Sequence, residues 1–251
     1  MKKNPLINVI FFDLGSTLIY FDGHLPEIMA HAFDELATAL QEGGYTIDKE
    51  VFISEFLSRL EAYHSERETE FIEHTTERIL RIVLERKGYK EISRSSLRPF
   101  LARMYAVTQS CWKVENDTQS TLQDLKGSGY RLGIISNAGD DWDVQILIDN
   151  AGIRPFFDYI STSAAVGIRK PHPKIFQLAF DAMRVAPNHS VMIGDTLGAD
   201  ILGAMNMGMH NVWIMRRANK LANQAHKDTI HPDRTINKLS ELPGLLEIWP
   251  S

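Results

Sequence analysis

The stretch Ile-Asn-Val-Ile-Phe-Phe-Asp-Leu-Gly-Ser-Thr-Leu, residues 7–18, decides the fold class of this chain. Its first six residues are mostly β-branched or aromatic, and such a run is typical of a strand that is buried on both faces. The run ends at Asp13, where a charged side chain interrupts the apolar pattern. A charged residue at this point is either an ordinary turn residue or a functional group at the edge of a sheet.

The second half of the chain alternates short apolar runs with helical segments. The apolar runs predict strands at 131–136, 157–161, 190–194 and 211–215. Helical periodicity predicts helices at 118–127, 141–150, 173–183 and 199–207. Strands that are separated by helices indicate βαβ units, so we predict an α/β fold with a parallel sheet.

A long helical stretch, from about residue 26 to about residue 110, interrupts this alternation. Apolar side chains recur there at the spacing of one buried helix face, as at Phe52, Phe56, Leu60 and Tyr63. We predict about four helices in this stretch. The predicted domains are an α/β core of residues 1–20 and 115–251, and an inserted α-helical bundle of residues 21–114.

Charge and composition exclude several classes of protein. The formal net charge of −5 argues against a general nucleic-acid binder, because phosphate backbones favour clustered positive charge. No run approaches the roughly 18 apolar residues of a membrane span. The first apolar run stops at Asp13, which favours a buried strand over a signal peptide. A single cysteine, Cys111, excludes an internal disulfide framework and fits the cytoplasm, where we expect the protein.

The stretch from about 216 to 233 follows the last predicted strand and is rich in Arg, Lys, Asn and His. Basic residues of this kind are able to bind an anion. The composition is more typical of a solvated loop, and we therefore predict an exposed connection.

Polar groups directly follow or end three of the predicted strands. They are Asp13, Ser136 with Asn137, and Asp195. Because the carboxyl ends of parallel strands meet at one edge of a sheet, we expect these side chains around a single crevice. Each alone is a weak signal, since such residues are common in turns, but chance rarely produces the three together in this order. Lys170 lies in a loop that is fixed by prolines, which argues against a plain surface lysine.

These segments resemble the motifs of the haloacid dehalogenase superfamily of hydrolases. The matched residues, in motif order, are Asp13 with Thr17, Ser136, Lys170, and Asp195 with Asp200. The resemblance covers about 5–24 and 115–245, and it implies a three-layer, Rossmann-like core. The helical insert is similar to the cap, of the type called C1, that this family carries between its first two motifs.

The resemblance implies a role for each matched residue. Asp13 is expected to attack phosphorus and form an aspartyl-phosphate, which splits one difficult step into two. Lys170 is expected to supply positive charge to the nucleophile and the phosphoryl oxygens, and Asp200 to orient the site. Ser136, with its neighbour Asn137, is expected to bind the phosphoryl group of the substrate.

The resemblance also implies a magnesium site. A carboxylate and a phosphate repel each other, so a divalent cation is expected between them. The implied Mg²⁺ ligands are the carboxylate of Asp13, the backbone carbonyl of Gly15 and the carboxylate of Asp195, all of them hard oxygen donors. The expected substrate is a small phosphorylated metabolite, and the expected state is a monomer or a homodimer.

Gly15 departs from the pattern of typical phosphatases in this family. Their residue at this position is a second Asp, which protonates the leaving alcohol and then activates water. Such general acid–base help is worth about 10²–10⁴ in rate, so its loss weakens turnover but need not abolish it. One interpretation is a substrate whose leaving group needs little protonation.

A second interpretation is that another group takes over the proton transfer. Asp22 and His24 are the candidates nearest in sequence, although their composition is more typical of solvent-facing turn residues. The histidines of the insert, His31, His64 and His74, are further candidates, although lone histidines on polar helices are usually surface residues.

A third interpretation is a different reaction. Haloacid dehalogenases also lack the second Asp, but they use no metal and lack the Gly-Asp motif, so Asp195 argues against dehalogenation. Phosphonate-cleaving relatives use a cap lysine, and Lys49 is the candidate, although its acidic neighbours favour an ion-pairing surface lysine. The last alternative is a phosphate-binding or interaction protein with impaired catalysis.

Overall fold

A computed structural model describes residues 6–90 and 92–249 of the chain. The strands of this part are β1 (Val9–Phe12), β2 (Ile19–Phe21), β3 (Trp112–Val114), β4 (Arg131–Ser136), β5 (Tyr159–Thr162), β6 (Ser190–Gly194), β7 (His210–Ile214) and β8 (Arg234–Ile236). Six of them form one sheet in the order β5-β4-β1-β6-β7-β8, and every pairing in it is parallel. The predicted α/β fold with a parallel sheet is confirmed.

Helices connect the strands and cover both faces of the sheet. They are α1 (Leu25–Glu42), α2 (Lys49–Glu70), α3 (Thr76–Arg86), α4 (Arg94–Gln109), α5 (Thr118–Gly127), α6 (Asp141–Asn150), α7 (Ser163–Val166), α8 (Pro173–Met183), α9 (Leu202–Asn206), α10 (Leu221–Gln224) and α11 (Leu242–Glu247). Alternate residues of β1 face opposite layers, as the two-residue period of a strand requires. Phe11 packs with α8, whereas Phe12 packs with α5 and α6, which gives three layers.

The first four helices form a unit with its own apolar core. Its buried side chains include Leu36, Phe52, Phe56, Leu80 and Leu101. Polar side chains set the starts of three helices, because each accepts a hydrogen bond from a backbone amide that has no partner within its helix. These N-cap residues are Asp48, Thr75 and Ser93. A short antiparallel ribbon of β2 and β3, which the periodicity does not predict, joins this four-helix insert to the sheet domain.

Most predicted elements of the second half are found with ends within one or two residues of the structure. The exception is the predicted helix at 199–207. Its first part is a π-helical turn, Leu197–Ile201, and the α-helix α9 follows it. A π-turn carries no pattern in the sequence, because it differs from an α-helix only in which carbonyl each amide reaches. Across the described residues, no helix combines the length and the apolar character that a bilayer crossing needs.

Candidate active site

The register of the sheet brings the predicted polar residues together. Phe12 is paired with Ile134 of β4 on one side and with Ile193 of β6 on the other. Asp13, Ser136 and Asp195 therefore stand at the carboxyl ends of three neighbouring strands, where parallel sheets bind ligands. All three side chains line one cavity of about 950 Å³.

Lys170 lies at the centre of this site. Its ammonium Nζ is 2.8 Å from Asp13 Oδ1 and 2.7 Å from Asp200 Oδ1, and only 3% of the residue is exposed. Burial alone lowers the pKa of Lys170, but the two carboxylates outweigh burial, and the net shift is upward. The lysine is therefore charged at neutral pH and neutralises part of the negative charge around the predicted nucleophile.

The loop of Lys170 is fixed by Asn137. The side-chain amide of Asn137 donates to the backbone carbonyl of Lys170 at 3.0 Å, and its oxygen accepts from the backbone amide of Lys170 at 2.8 Å. Asn137 also lines the cavity, and its role as a substrate-binding residue stays a prediction. The two hydrogen bonds show that it anchors the loop that carries the lysine.

Three carboxylates, which we call the three-Asp cluster, gather around the lysine. They belong to Asp13, Asp195 and Asp200, and one oxygen from each lies within 4.8 Å of the others. Burial raises the pKa of Asp195, and the charge of Asp13 raises it further. Burial also raises the pKa of Asp200, to about 7, because Lys170 offsets only part of the desolvation.

The donor set of this cluster fits a hard divalent cation. Carboxylate oxygens are the ligands that Mg²⁺ prefers, and a cation between them would relieve their mutual repulsion. Asp200 is already occupied elsewhere, because one of its oxygens contacts Lys170 and the other accepts from the amide of Thr196 at 2.9 Å. This arrangement suits an orienting residue better than a ligand. Gly15, the third predicted donor, lines the same cavity.

Gly194 is required by the close approach of Asp200. A Cβ atom at Gly194 would lie 2.3 Å from the Asp200 carboxyl carbon, a separation that real side chains do not adopt. A side chain at this position would therefore displace the carboxylate that holds Lys170. The Gly-Asp pair of the fourth motif thus has a steric reason as well as a chemical one.

The predicted substitutes for the missing carboxylate at position 15 lie elsewhere. Asp22 and His31 are exposed, and His24 pairs with Glu27 at the start of α1. Lys49 pairs with Asp34 of the insert at 2.6 Å. None of these predicted residues is among the described residues that line the large cavity. His64 and His74 line a second cavity of about 250 Å³ between the insert and the sheet domain.

The predicted exposed connection at 216–233 is only partly exposed, because several of its side chains pack on the site. Lys220 contacts Asp195 Oδ2, and Lys220 and His226 both line the large cavity. Asn223 is fully buried and accepts from the amide of Leu197 at 2.8 Å while donating to the Asp195 carbonyl at 2.9 Å. Polar composition alone does not separate a solvated loop from one that packs on a charged site, so no local pattern identifies these residues.

Trp112 is another wall of the cavity that sequence reasoning does not identify. Its indole lies 3.5 Å from the position that a Cβ atom of Gly15 would occupy. The tryptophan belongs to β3, at the junction between the insert and the sheet domain. Residue 15 and the junction are therefore in contact, although they are far apart in the sequence.

Hydrogen bonds and a salt bridge connect the insert to the loop that precedes Lys170. The amide of Arg169 donates to the carbonyl of Phe71 at 2.8 Å, and the amide of Glu73 donates to the carbonyl of Gly167 at 3.0 Å. The Arg169 guanidinium also pairs with the buried Glu73 carboxylate. These contacts bring the turn between α2 and α3 against the edge of the site.

Comparison with known proteins agrees with this geometry. The family model for haloacid dehalogenase-like hydrolases matches residues 7–208. The chain belongs to the haloacid dehalogenase-like hydrolases. The matched range includes the three-Asp cluster, Lys170 and the whole four-helix insert.

Several relatives of this hydrolase are named as phosphatases. Glyceraldehyde 3-phosphate phosphatase of Methanothermobacter thermautotrophicus is 32% identical, over 96% of this chain and 100% of that protein. The crystal structure of a HAD phosphatase from Thermococcus onnurineus covers 96% of this chain and 98% of its own, with 26% identity and a TM-score of 0.63. The structure of 2-haloacid dehalogenase from Pseudomonas syringae superposes with a TM-score of 0.68 over 97% of this chain and 100% of its own. Its 24% identity supports a shared fold alone.

Proposed function

We propose that this hydrolase is a phosphatase that cleaves the phosphomonoester of a small metabolite through an aspartyl-phosphate on Asp13. The observation that carries the proposal is the contact of Asp13 with Lys170, 2.8 Å from oxygen to nitrogen, beside two further carboxylates. A nucleophilic carboxylate that is held next to a cation suits attack on an anionic phosphoryl group.

The residues around Asp13 divide the work of the reaction. Asp13 Oδ forms the bond to phosphorus while the ester bond to the leaving oxygen breaks, and water then hydrolyses the acyl-phosphate. Lys170 offsets the charge of the phosphoryl oxygens, and the Ser136 hydroxyl donates to them. Mg²⁺ held by Asp13, Gly15 and Asp195 would supply charge neutralisation between the two anions when bound.

The proposed substrate is a three-carbon phosphate such as glyceraldehyde 3-phosphate. Support comes from the relative of that name, which aligns over 96% of this chain. The cavity of about 950 Å³ has ample room for a molecule of this size. The four-helix insert is proposed to act as a cap that excludes water from the reacting atoms. The core of residues 1–20 and 115–251 and the cap of residues 21–114 are part of this proposal.

The alternative reactions have weaker support. A phosphonate-cleaving enzyme needs a lysine in the cavity from the insert, and the proposed candidate Lys49 is paired with Asp34 instead. A dehalogenase that works without a metal has no use for the negative charge that Asp195 adds beside the nucleophile. A pure phosphate binder has no use for the nucleophile Asp13.

The experiment that tests this function measures phosphate release with Mg²⁺ from glyceraldehyde 3-phosphate and from a panel of phosphorylated metabolites. We expect activity in the natural protein and its loss in Asp13→Asn, with a matched Asp124→Asn variant on the distant helix α5 retaining full activity. Mass spectrometry of acid-quenched protein should show added phosphate on Asp13. Activity that survives Asp13→Asn would refute the proposal.

A further inference from the structure

The glycine at position 15 means that proton transfer to the leaving group has to come from another side chain of the cavity. Outside the three-Asp cluster, Asp143 and His226 are the cavity-lining groups of the described chain whose type ionises near or below neutral pH. The other charged groups on its wall are lysines and arginines, residue types whose ordinary pKa lies far above neutral pH. The choice is therefore between one carboxyl group and one imidazole.

Asp143 lies where the insert meets the sheet domain. It belongs to the first turn of α6, and its Oδ1 accepts a hydrogen bond from the side-chain amide of Gln109 at 2.8 Å. Gln109 is the last residue of α4, only a short turn before Trp112, whose indole covers Gly15. The hydrogen bond thus ties the carboxyl group to the end of α4, the helix that leads into Trp112.

The surroundings of Asp143 suit a group that both gives and takes a proton. Its helix neighbours Val144 and Leu147 line the same cavity, and Asp143 also lines the second cavity between the insert and the sheet domain. Burial raises the pKa of Asp143 to about 6; Gln109 opposes the shift, and the charge of Asp140 adds to it. A catalytic acid works best when its pKa lies close to the working pH.

The two oxygens of Asp143 differ in their hydrogen bonding. Among the described residues, Gln109 is the hydrogen-bond donor to this carboxyl group, and it occupies Oδ1 alone. The second oxygen faces no donor in this part of the structure. His226, by contrast, packs against Gly198, and it follows the segment that pairs with Asp195. That position is beside the proposed metal ligands and is less suited to a leaving group.

We propose that Asp143 takes the place of the carboxylate that is missing at residue 15. This inference rests on the proposed phosphatase function. In the first step Asp13 bonds to phosphorus, the ester bond breaks, and the leaving oxygen keeps the electron pair and takes the proton of Asp143. In the second step the Asp143 carboxylate removes a proton from water as the water oxygen attacks phosphorus, and the bond between phosphorus and Asp13 breaks. Phosphate leaves, and the carboxylates of Asp13 and the protonated Asp143 are restored.

The test compares two substrates that differ in their need for a proton. The leaving group of p-nitrophenyl phosphate is a stable phenolate, whereas glyceraldehyde 3-phosphate releases an alkoxide that has to be protonated. We expect Asp143→Asn to lower kcat/KM for the alkyl ester about 100-fold and to change kcat/KM for the aryl ester by less than about threefold. The ratio of the two values does not depend on how much of a variant is folded.

Two variants complete the design. Asp141→Asn, which makes the same charge change on the same turn of α6 but lies outside the described cavity lining, should leave the ratio unchanged. An unchanged ratio in Asp143→Asn, or a fall in the ratio in His226→Gln instead, overturns the inference. Phosphate release that Asp13→Asn does not reduce, or no release from either substrate, overturns the phosphatase function itself, and the inference falls with it.

Discussion

Glu73 of the insert forms a buried salt bridge with Arg169, the residue that directly precedes Lys170. The Glu73 carboxylate also accepts from the Ser163 hydroxyl at 2.5 Å and from the Tyr63 hydroxyl at 2.6 Å. The position of the insert and the position of the lysine loop are therefore set by one network. The buried ion pair at its centre is costly to break, because removing one of the two charges leaves the other without compensation.

Glu73→Gln is expected to loosen the insert and to weaken substrate binding. The substitution leaves the Arg169 guanidinium buried without a carboxylate, which should lower the free energy of unfolding by about 3 kcal/mol and raise KM. Urea unfolding and steady-state kinetics measure the two effects. Glu85→Gln, on the exposed side of α3, is the control and should change stability by less than about 0.5 kcal/mol. Equal stability and equal KM in Glu73→Gln and the natural protein would show that the salt bridge does not hold the insert against the lysine loop.

Gly15→Asp is expected to add a second general acid–base group, at the position of the missing carboxylate. A Cβ atom fits there, at 3.5 Å from the Trp112 indole. The carboxyl group beyond that Cβ atom has room only if the indole moves. We therefore expect a small gain in kcat on alkyl phosphates for Gly15→Asp and a larger one, about tenfold or more, for Gly15→Asp combined with Trp112→Leu. Trp112→Leu alone is the matched control. No gain in the double variant relative to that control would contradict the prediction.

Lys220→Met is expected to increase the affinity for Mg²⁺. The Lys220 ammonium contacts Asp195 Oδ2, so a cation that binds the same carboxylate has to compete with it. Removing one positive charge at this distance should lower the Kd for Mg²⁺ by about three- to tenfold. Isothermal titration calorimetry without substrate measures this affinity directly. Lys227→Met, an exposed lysine of the same segment, should leave the Kd unchanged. Weaker Mg²⁺ binding in Lys220→Met would mean that the lysine supports the metal site instead.

Asp143 is expected to make stability fall as the pH rises. Its pKa is 3.8 in the unfolded reference and about 6 in the folded protein. The folded state therefore binds the proton more tightly than the unfolded state. The stability that this proton contributes is lost as the pH rises from the unfolded pKa to the folded pKa. Asp140 and Arg98 are the charged groups that act on this carboxyl, with opposite signs.

Asp143→Asn should consequently stabilise the protein at neutral pH. The free energy of unfolding of the variant, minus that of the natural protein, should increase by about 2 kcal/mol from about pH 4.5 to about pH 7.5. Urea unfolding at both pH values measures it. Asp141→Asn serves as the control for the change of charge. A gain that is the same at both pH values would show that the carboxyl group is not perturbed. A carboxyl group whose removal stabilises the protein fits a residue that is kept for catalysis.

The sequence contains enough to identify the sheet and the residues at its edge. Strand β1 is a run of apolar residues that ends at Asp13, and the same pattern recurs before Asp195. Such apolar runs predict strands reliably because a strand that is buried in a parallel sheet has to be apolar on both faces. Neither the ribbon of β2 and β3 nor the π-turn at Leu197–Ile201 has a comparable local pattern.

The sequence by itself determined the α/β class, the helical insert and the order of the polar groups around Lys170. Only the tertiary structure decided which polar side chains meet: Glu73 with Arg169, Lys220 with Asp195, and Gln109 with Asp143. The physical reason is that apolar periodicity is written locally along the chain. The partner of a charged or polar side chain is instead fixed by the packing of segments that are distant in sequence, and any of several similar residues could have served.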